Sequence, residues 1–408
     1  MTRLYHGWRI TWALAITQTV GYGVLFYAFS VFIEPMEAEL GWTRGQTSGA
    51  FSLALLVSGL VAMPAGRWVD KRGARGLMTL GSTLGVLLMI AWSFANSLSF
   101  FYLIQGAIGL VMAATFYEIA FTVAAVWFRR KRTQAMLIIT MVAGLASTIF
   151  IPLTTFLVET MYWRDALRVL ALILALGTIP LHAFVLRRRP QDLGLEPDGL
   201  ETGSKNAPPP ERSVAPLEAL RVPTFWWIGA AFALDRITVM AIAAHSVPLL
   251  LERGYSPALV AAAAGSIGLM QLAGRMFFLP FADRFRLSTL TAFIFSLHSA
   301  ALLSLLFVPG GLSVWLFAAF FGMSNGAGTL AKAALVADTY GSAHYGSING
   351  SLTTIVAIIQ IAGPLGAGAL HDNFGSYIPV LWVLAVSSGL AALTVLQTQP
   401  RQEPTYAD

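Results

Sequence analysis

The stretch GRWVDKRGAR, Gly66 to Arg75, crowds Arg67, Asp70, Lys71, Arg72 and Arg75 between two apolar runs, 46–66 and 76–96. Each run supplies the ~20 residues that a helix needs to cross a ~30 Å hydrocarbon core. Charges belong in water, so the decapeptide reads as a turn at a membrane surface. Working outward, the same alternation repeats, with apolar runs near 10–33, 99–127, 134–158 and 166–186, then 223–251, 257–281, 288–308, 312–338, 346–370 and 376–397. With 56% hydrophobic and 11% charged residues, the composition is not that of a soluble globular domain. The expected fold is an all-α membrane protein with twelve transmembrane helices.

The turn also has a second copy. Sliding the chain on itself by 213 residues sets Pro35 on Pro248, Glu39 on Glu252, Gly41 on Gly254, Asp70 on Asp283, Lys71 on Arg284 and Gly109 on Gly322, without a gap. Matched proline, glycine and charged positions bracketing a helix pair are hard to obtain by accident. They predict two six-helix halves, 1–186 and 223–400, a transporter architecture with its substrate site between the repeats near mid-membrane. Between them, 187–222 contains RRRP, EPDG and PPP and reads as a surface linker, with a tail at 401–408.

Charge sets the orientation. One side holds Arg3, Arg9, Arg67, Lys71, Arg72, Arg75, Arg129 to Arg132, Arg187 to Arg189, Lys205, Arg212, Arg221, Arg284, Arg286 and Arg401; the other holds Arg44, Arg164, Arg168 and Arg253. The positive-inside bias then places both termini and the linker in the cytoplasm of a cell (inner or plasma) membrane. The net charge of +6 is this asymmetry, which suits anionic lipid and gives no reason to propose nucleic acid. The opening MTRLYHGWR is read as the start of a retained first span, because no small-residue cleavage site follows. Cysteine is absent, so no disulfide or thiol chemistry operates.

The loop GRWVDKRGAR resembles the loop signature of the major facilitator superfamily, with Gly66, Asp70, Lys71, Gly73 and Arg75 fitting and Ala74 standing where a base is usual. The second copy keeps Asp283 and Arg284, while Leu279 and Arg286 replace its glycines. Physically, Gly73 permits a turn at positive φ, and Asp70 can meet nearby bases or a helix N-terminus. The resemblance implies a cytoplasmic gate, against the plainer reading of an ordinary basic turn. YHGWRITWAL, GWTRGQTSGAFSLAL and VWFRRKRTQAMLIITMVAGLAST are similar to the monocarboxylate transporter-like and oxalate transporter-like branch.

Five ionisable residues fall at similar depth, by count within ~10 Å of one another. They are Glu118 in span four, Asp235 and Arg236 in span seven, Arg275 in span eight and Lys332 in span ten. Charges at such depth normally face a cavity or a partner. Fully ionised, this layer keeps one positive charge, which a monoanion would neutralise. Helical spacing adds Gln271 one turn from Arg275, the stripe Phe232, Asp235, Thr238, Ile242 and His245, the stripe Asn325, Thr329 and Lys332, and Asn349, Thr353 and Gln360. These stripes are expected to line a polar path. Arginine suits a carboxylate because its planar fork binds both oxygens and it stays charged when desolvated. In the branch it resembles, an arginine of span eight holds the substrate carboxylate, and Arg275 matches it. The departures are Gln271 in place of an acidic residue, Gln18 and Tyr22 in place of a span-one lysine, and Val356 near the oxalate-type lysine of span eleven.

The function expected is secondary active transport of a small organic monoanion, of the lactate or pyruvate class, with a proton. Arg275, Gln271, Tyr117, Asn325 and Gln360 are the candidate substrate contacts. Asp235, Glu118, Arg236 and Lys332 are the candidate proton-coupling groups or charge pairs. Each has a plainer alternative: a fixed salt bridge for Arg275, Asp235 and Glu118, snorkelling for Lys332, packing for Tyr117. Efflux of amphipathic or cationic compounds on Glu118 or Asp235 is the competing transport reading; a receptor without flux is the other class. No nucleophile–base pair, metal cluster or phosphate loop marks an enzyme, and GTLAK, Gly328 to Lys332, is too short for a P-loop. No cofactor is expected, and the fold resembled works as a monomer.

Overall fold

The computed structural model describes residues 5–199, 214–282 and 284–398. Among them twelve helices are long and apolar enough to cross a membrane, and no strand occurs. Spans one to six are His6–Leu40, Gly45–Arg72, Ala74–Trp92, Leu98–Trp127, Arg132–Thr160 and Trp163–Val185. Spans seven to twelve are Pro223–Glu252, Pro257–Ala282, Leu287–Phe307, Gly311–Tyr340, Tyr345–Phe374 and Ile378–Leu396.

Most helices outrun the apolar window that marks them, because hydropathy ends where the membrane ends and a helix ends only where something stops it. Span one continues past residue 33 to Gly41, whose left-handed φ of 67° closes the helix with its N–H on the Glu37 carbonyl at 3.1 Å. Its repeat mate Gly254 has φ 83° just past span seven. A capping box then starts the next helix: Gln46 Oε1 accepts from the Thr43 N–H at 2.9 Å, and the Gln46 N–H donates to Thr43 Oγ1 at 3.3 Å.

The described residues form two compact units, one drawn from Met1–Ser213 with Ser342–Thr354, the other from Val214–Gly341 with Ile355–Asp408. Apolar burial alone gives little drive between helices already in lipid, so close backbone approach matters. In the first unit a Cβ on Gly109 would lie 2.4 Å from the Ala54 carbonyl oxygen. In the second, a Cβ on Gly322 would lie 2.7 Å from that of Ile267. Both pairs are related by the 213-residue shift, so the repeat is a repeat of contacts as well as of letters. Span four is pinned to span two, and span ten to span eight.

Several spans are discontinuous. Span one has a π-helical turn at Gly23–Tyr27, span four breaks at Phe116, span five at Gly144 and Leu145, and span eleven between Ile359 and Ala362. Of the stretch read as linker, 187–222, residues 200–213 lie outside the described residues, as does the tail 401–408. The described part is folded: Asp198, at φ 65°, accepts from the backbone N–H groups of Arg129, Arg130 and Lys131 at 3.2, 2.8 and 3.2 Å. Burial, with the Asp198 charge second, raises the nearby Tyr5 phenol above its ordinary pKa.

Candidate functional site

On the basic face of the first unit, Gly73 ends span two with φ 80° and its N–H on the Val69 carbonyl at 2.8 Å. One turn earlier, Asp70 Oδ1 accepts from the Gly346 N–H at 3.0 Å, and Oδ2 accepts from the Ser347 N–H at 2.7 Å and the Ser347 hydroxyl at 2.5 Å. The first N–H groups of a helix lack partners within it, and a carboxylate there meets both the free donors and the positive end of the dipole. Gly66 makes this possible, since a Cβ there would lie 1.9 Å from the Gly346 carbonyl oxygen. Arg188 Nη2 donates to the Lys71 carbonyl at 2.5 Å, and its side chain fills the space over Gly73. Lys71 and Arg75 are exposed, as is Arg284 of the second copy. Asp283 lies outside the described residues.

Deeper in the same unit, the break at Phe116 frees the Thr115 carbonyl, which accepts from Gln18 Nε2 at 2.6 Å. Gln18, which with Tyr22 is what span one offers in place of a lysine, is thus spent on this break. Tyr22 stacks on Phe116 with ring centroids 4.0 Å apart and lies 4.7 Å from the Tyr117 ring. The break puts Glu118 in the first turn of a half-helix, Tyr117–Trp127, where its carboxylate accepts from Asn349 Nδ2. Tyr117 and Glu118 are half-buried.

In the second unit, spans eight and ten touch backbone to backbone. A Cβ on Gly274 would lie 2.0 Å from the Met323 carbonyl oxygen, and one on Gly326 2.0 Å from that of Gln271. This contact seats Arg275, 7% exposed, next to span ten. Asn325, Thr329 and Lys332 are half-buried positions in a helix whose neighbouring residues are mostly buried. Gln271 is half-buried, and so is Gln360, which sits at the break in span eleven.

The span-seven stripe is corrected. Asp235 Oδ1 lies 2.6 Å from His298 Nδ1 in span nine, with the two residues 4% and 1% exposed. Phe232 packs edge-on against Phe295, Thr238 donates to the Leu384 carbonyl at 3.3 Å, and Ile242 is buried. His245 lies 3.0 Å from the Tyr377 hydroxyl. These residues face spans nine, eleven and twelve of their own unit, because a polar stripe can be satisfied by neighbouring helices as well as by a cavity. Arg236, one position round the helix, is half-buried. The span-eleven stripe is likewise interrupted, with Asn349 and Thr353 before the break and Gln360 at it.

The sequence model of the Major Facilitator Superfamily matches residues 14–359. The chain belongs to that superfamily. Monocarboxylate transporter 13 of Bos taurus is 27% identical over 409 residues, which cover 97% of this chain and 89% of that protein. An uncharacterized 38 kDa protein of Thermoproteus tenax is 27% identical, with 86% of this chain and 84% of that protein covered. The oxalate:formate antiporter of Oxalobacter formigenes is 26% identical over 54% of this chain and 50% of its own. The crystal structure of the fucose:proton symporter of E. coli superposes with a TM-score of 0.70 at 13% identity, covering 96% and 98% of the two chains. This protein is therefore a membrane transporter of the superfamily fold and not an enzyme.

Within this superfamily transporter, the first unit brings together Gly66, Asp70, Lys71 and Gly73 at its face and Tyr117 and Glu118 deeper down. The second brings Gln271 and Arg275 to the span carrying Asn325 and Lys332. Sequence reasoning missed His298. The signal was available: it is the lone ionisable residue of span nine, about as far from the basic end as Asp235. It also used Glu39 and Glu252 only as repeat markers. Glu39 accepts from Tyr162, Trp163 and Arg164, the last at 2.9 Å. Glu252 lies 2.8 Å from His371 Nε2 and accepts from the Tyr377 N–H at 3.1 Å. Each repeat thus fastens the far end of its first helix to its last helix pair.

Proposed function

We propose that this transporter carries a small organic monoanion of the lactate or pyruvate class together with a proton, by alternating access, with its basic face in the cytoplasm. Arg275 is the observation that carries the reading. A buried guanidinium stays ionised, offers two parallel donors and prefers a carboxylate over any single-point acceptor. Gln271 adds an amide one turn away, and Asn325 and Gln360 are the other polar side chains assigned to the anion. The names of relatives that cover most of this chain support the class.

The lack of a second fixed cation in span one favours one carboxylate over two. Since Asp235 is engaged by His298, Glu118 is the carboxylate to which the proton is assigned. Tyr117 beside it is the contact proposed from the first unit. Arg236 and Lys332 complete the charge layer, and the protein works as a monomer.

The test is uptake of radiolabelled lactate and pyruvate into proteoliposomes of the pure protein, with and without an inward proton gradient, beside Arg275→Gln. Gradient-stimulated uptake that the substitution abolishes is the expected result. No uptake of any monocarboxylate, with extrusion of lipophilic cations that survives Arg275→Gln, would replace this reading by cation efflux.

A further inference from the structure

Span eleven is divided between the two units. Ser342–Thr354 belongs to the first and Ile355 onward to the second, so the boundary falls inside the continuous helix Tyr345–Ile359. The ties that hold Ser342–Thr354 to the first unit are of unequal kinds. Asp70 grips the helix N-terminus at the surface through Gly346 and Ser347. Thr354 Oγ1 donates to the Gly59 carbonyl at 2.8 Å, and Gly350 approaches so closely that a Cβ there would lie 2.4 Å from the Ala62 carbonyl oxygen. Backbone carbonyls and glycines do not titrate.

A further tie joins Asn349, 1% exposed, to the Glu118 carboxylate at the half-helix break of span four. It lies away from the surface, and a proton on the carboxylate can alter it. An amide donating to an ionised carboxylate makes a bond about twice as strong as a neutral one. Protonating Glu118 leaves Asn349 the weaker bond. Asn349 Oδ1 is itself buried without a hydrogen-bond partner, so it holds no second anchor for the side chain.

We propose that Asn349 reads the protonation state of Glu118 and transmits it to span eleven: ionised Glu118 fastens Ser342–Thr354 to the first unit, and a proton on Glu118 loosens it. The assignment of Glu118 rests on the proton-coupled reading above, but the loosening itself needs no substrate. Other charged or titratable groups around this tie are Tyr22 and Tyr345, within electrostatic range of Glu118, and Tyr117 beside it. Arg132, within range of Tyr345, donates to the Phe128 and Ala125 carbonyls at 3.1 and 3.2 Å. Span two contributes Asp70, with His344 near it. Asp70 and His344 are the competing groups that the experiment has to separate from Glu118.

Amide hydrogen exchange of the purified protein, corrected for intrinsic rates and taken at mildly alkaline and mildly acidic pH, separates them. Protection of the amides of residues 346–352 is expected to fall about tenfold on acidification of the wild type. Glu118→Gln and Asn349→Ala are expected to show the lower protection at both pH values. Asp70→Asn and His344→Gln are expected to lower protection throughout or leave it unchanged, and to keep the pH response. A wild type without pH response, or a response that survives in Glu118→Gln or in Asn349→Ala, overturns the proposal. Because no substrate is present, failure of monocarboxylate uptake leaves this result standing, and the converse also holds.

Discussion

Arg275 and Asp235 are both ionisable side chains placed where water is scarce. Asp235 has His298 at 2.6 Å, so it is met inside its own unit. Removing one partner of such a pair strands the other, at a cost of about 3–5 kcal/mol, whereas replacing both by apolar groups costs far less. His298→Ala and Asp235→Ala should therefore each lower the melting temperature in detergent strongly, and the double Leu substitution should recover most of the loss. A loss in the double equal to the sum of the two single losses would mean that the two residues contribute nothing as a pair. Arg275 is the proposed substrate contact, so its substitution is read in transport. Arg275→Lys keeps the charge but loses the fork, so one charge-assisted bond worth roughly 1.5–3 kcal/mol is forfeited. KM for the anion, measured as uptake into proteoliposomes, should rise about tenfold or more.

At the scale of the helix, glycine decides which spans touch. Gly109 and Gly322 occupy equivalent places in the two repeats, and each would drive a Cβ into a facing carbonyl. Gly109→Val and Gly322→Val are expected to destabilise the protein by at least ~1–3 kcal/mol, and Gly328→Ala, which meets open space, to be nearly silent. Thermal unfolding followed by fluorescence measures all three. These contacts explain what could be read in advance. The twelve spans were legible because hydropathy over ~20 residues is a strong signal, and the repeat because Pro, Gly and charge recur at one fixed shift. Arg275 stood out because a guanidinium in an apolar run has few excuses. The break at Phe116 was not legible, since no proline or glycine marks it and the freed carbonyl of Thr115 is met by Gln18, ninety-seven positions away; the break at Gln360 has a local cause, because Pro364 lacks the N–H that would bond the Gln360 carbonyl four residues back. The partner of Asp235 was not legible either, because helical periodicity gives a residue's face but not the neighbour that covers it. The described part of the linker folded because Asp198 found three backbone donors, a tertiary contact that composition does not encode.

For the whole molecule, the proposal fixes how transport responds to voltage. The absence of cysteine makes the orientation easy to establish first: with a single introduced thiol, Arg75→Cys should resist a membrane-impermeant maleimide in intact cells and Asp165→Cys should react. A monoanion and a proton crossing together carry no net charge. A membrane potential exerts about 2.3 kcal/mol per elementary charge per 100 mV, so an uncoupled monoanion would be redistributed roughly fiftyfold by such a potential. The coupled pair would not be redistributed at all. Proteoliposomes clamped with potassium and valinomycin should therefore take up the monocarboxylate at the same rate and to the same level at either sign of potential, while an inward proton gradient raises both. If potential drives uptake and the proton gradient does not, the anion crosses alone and Glu118 carries no proton in the cycle.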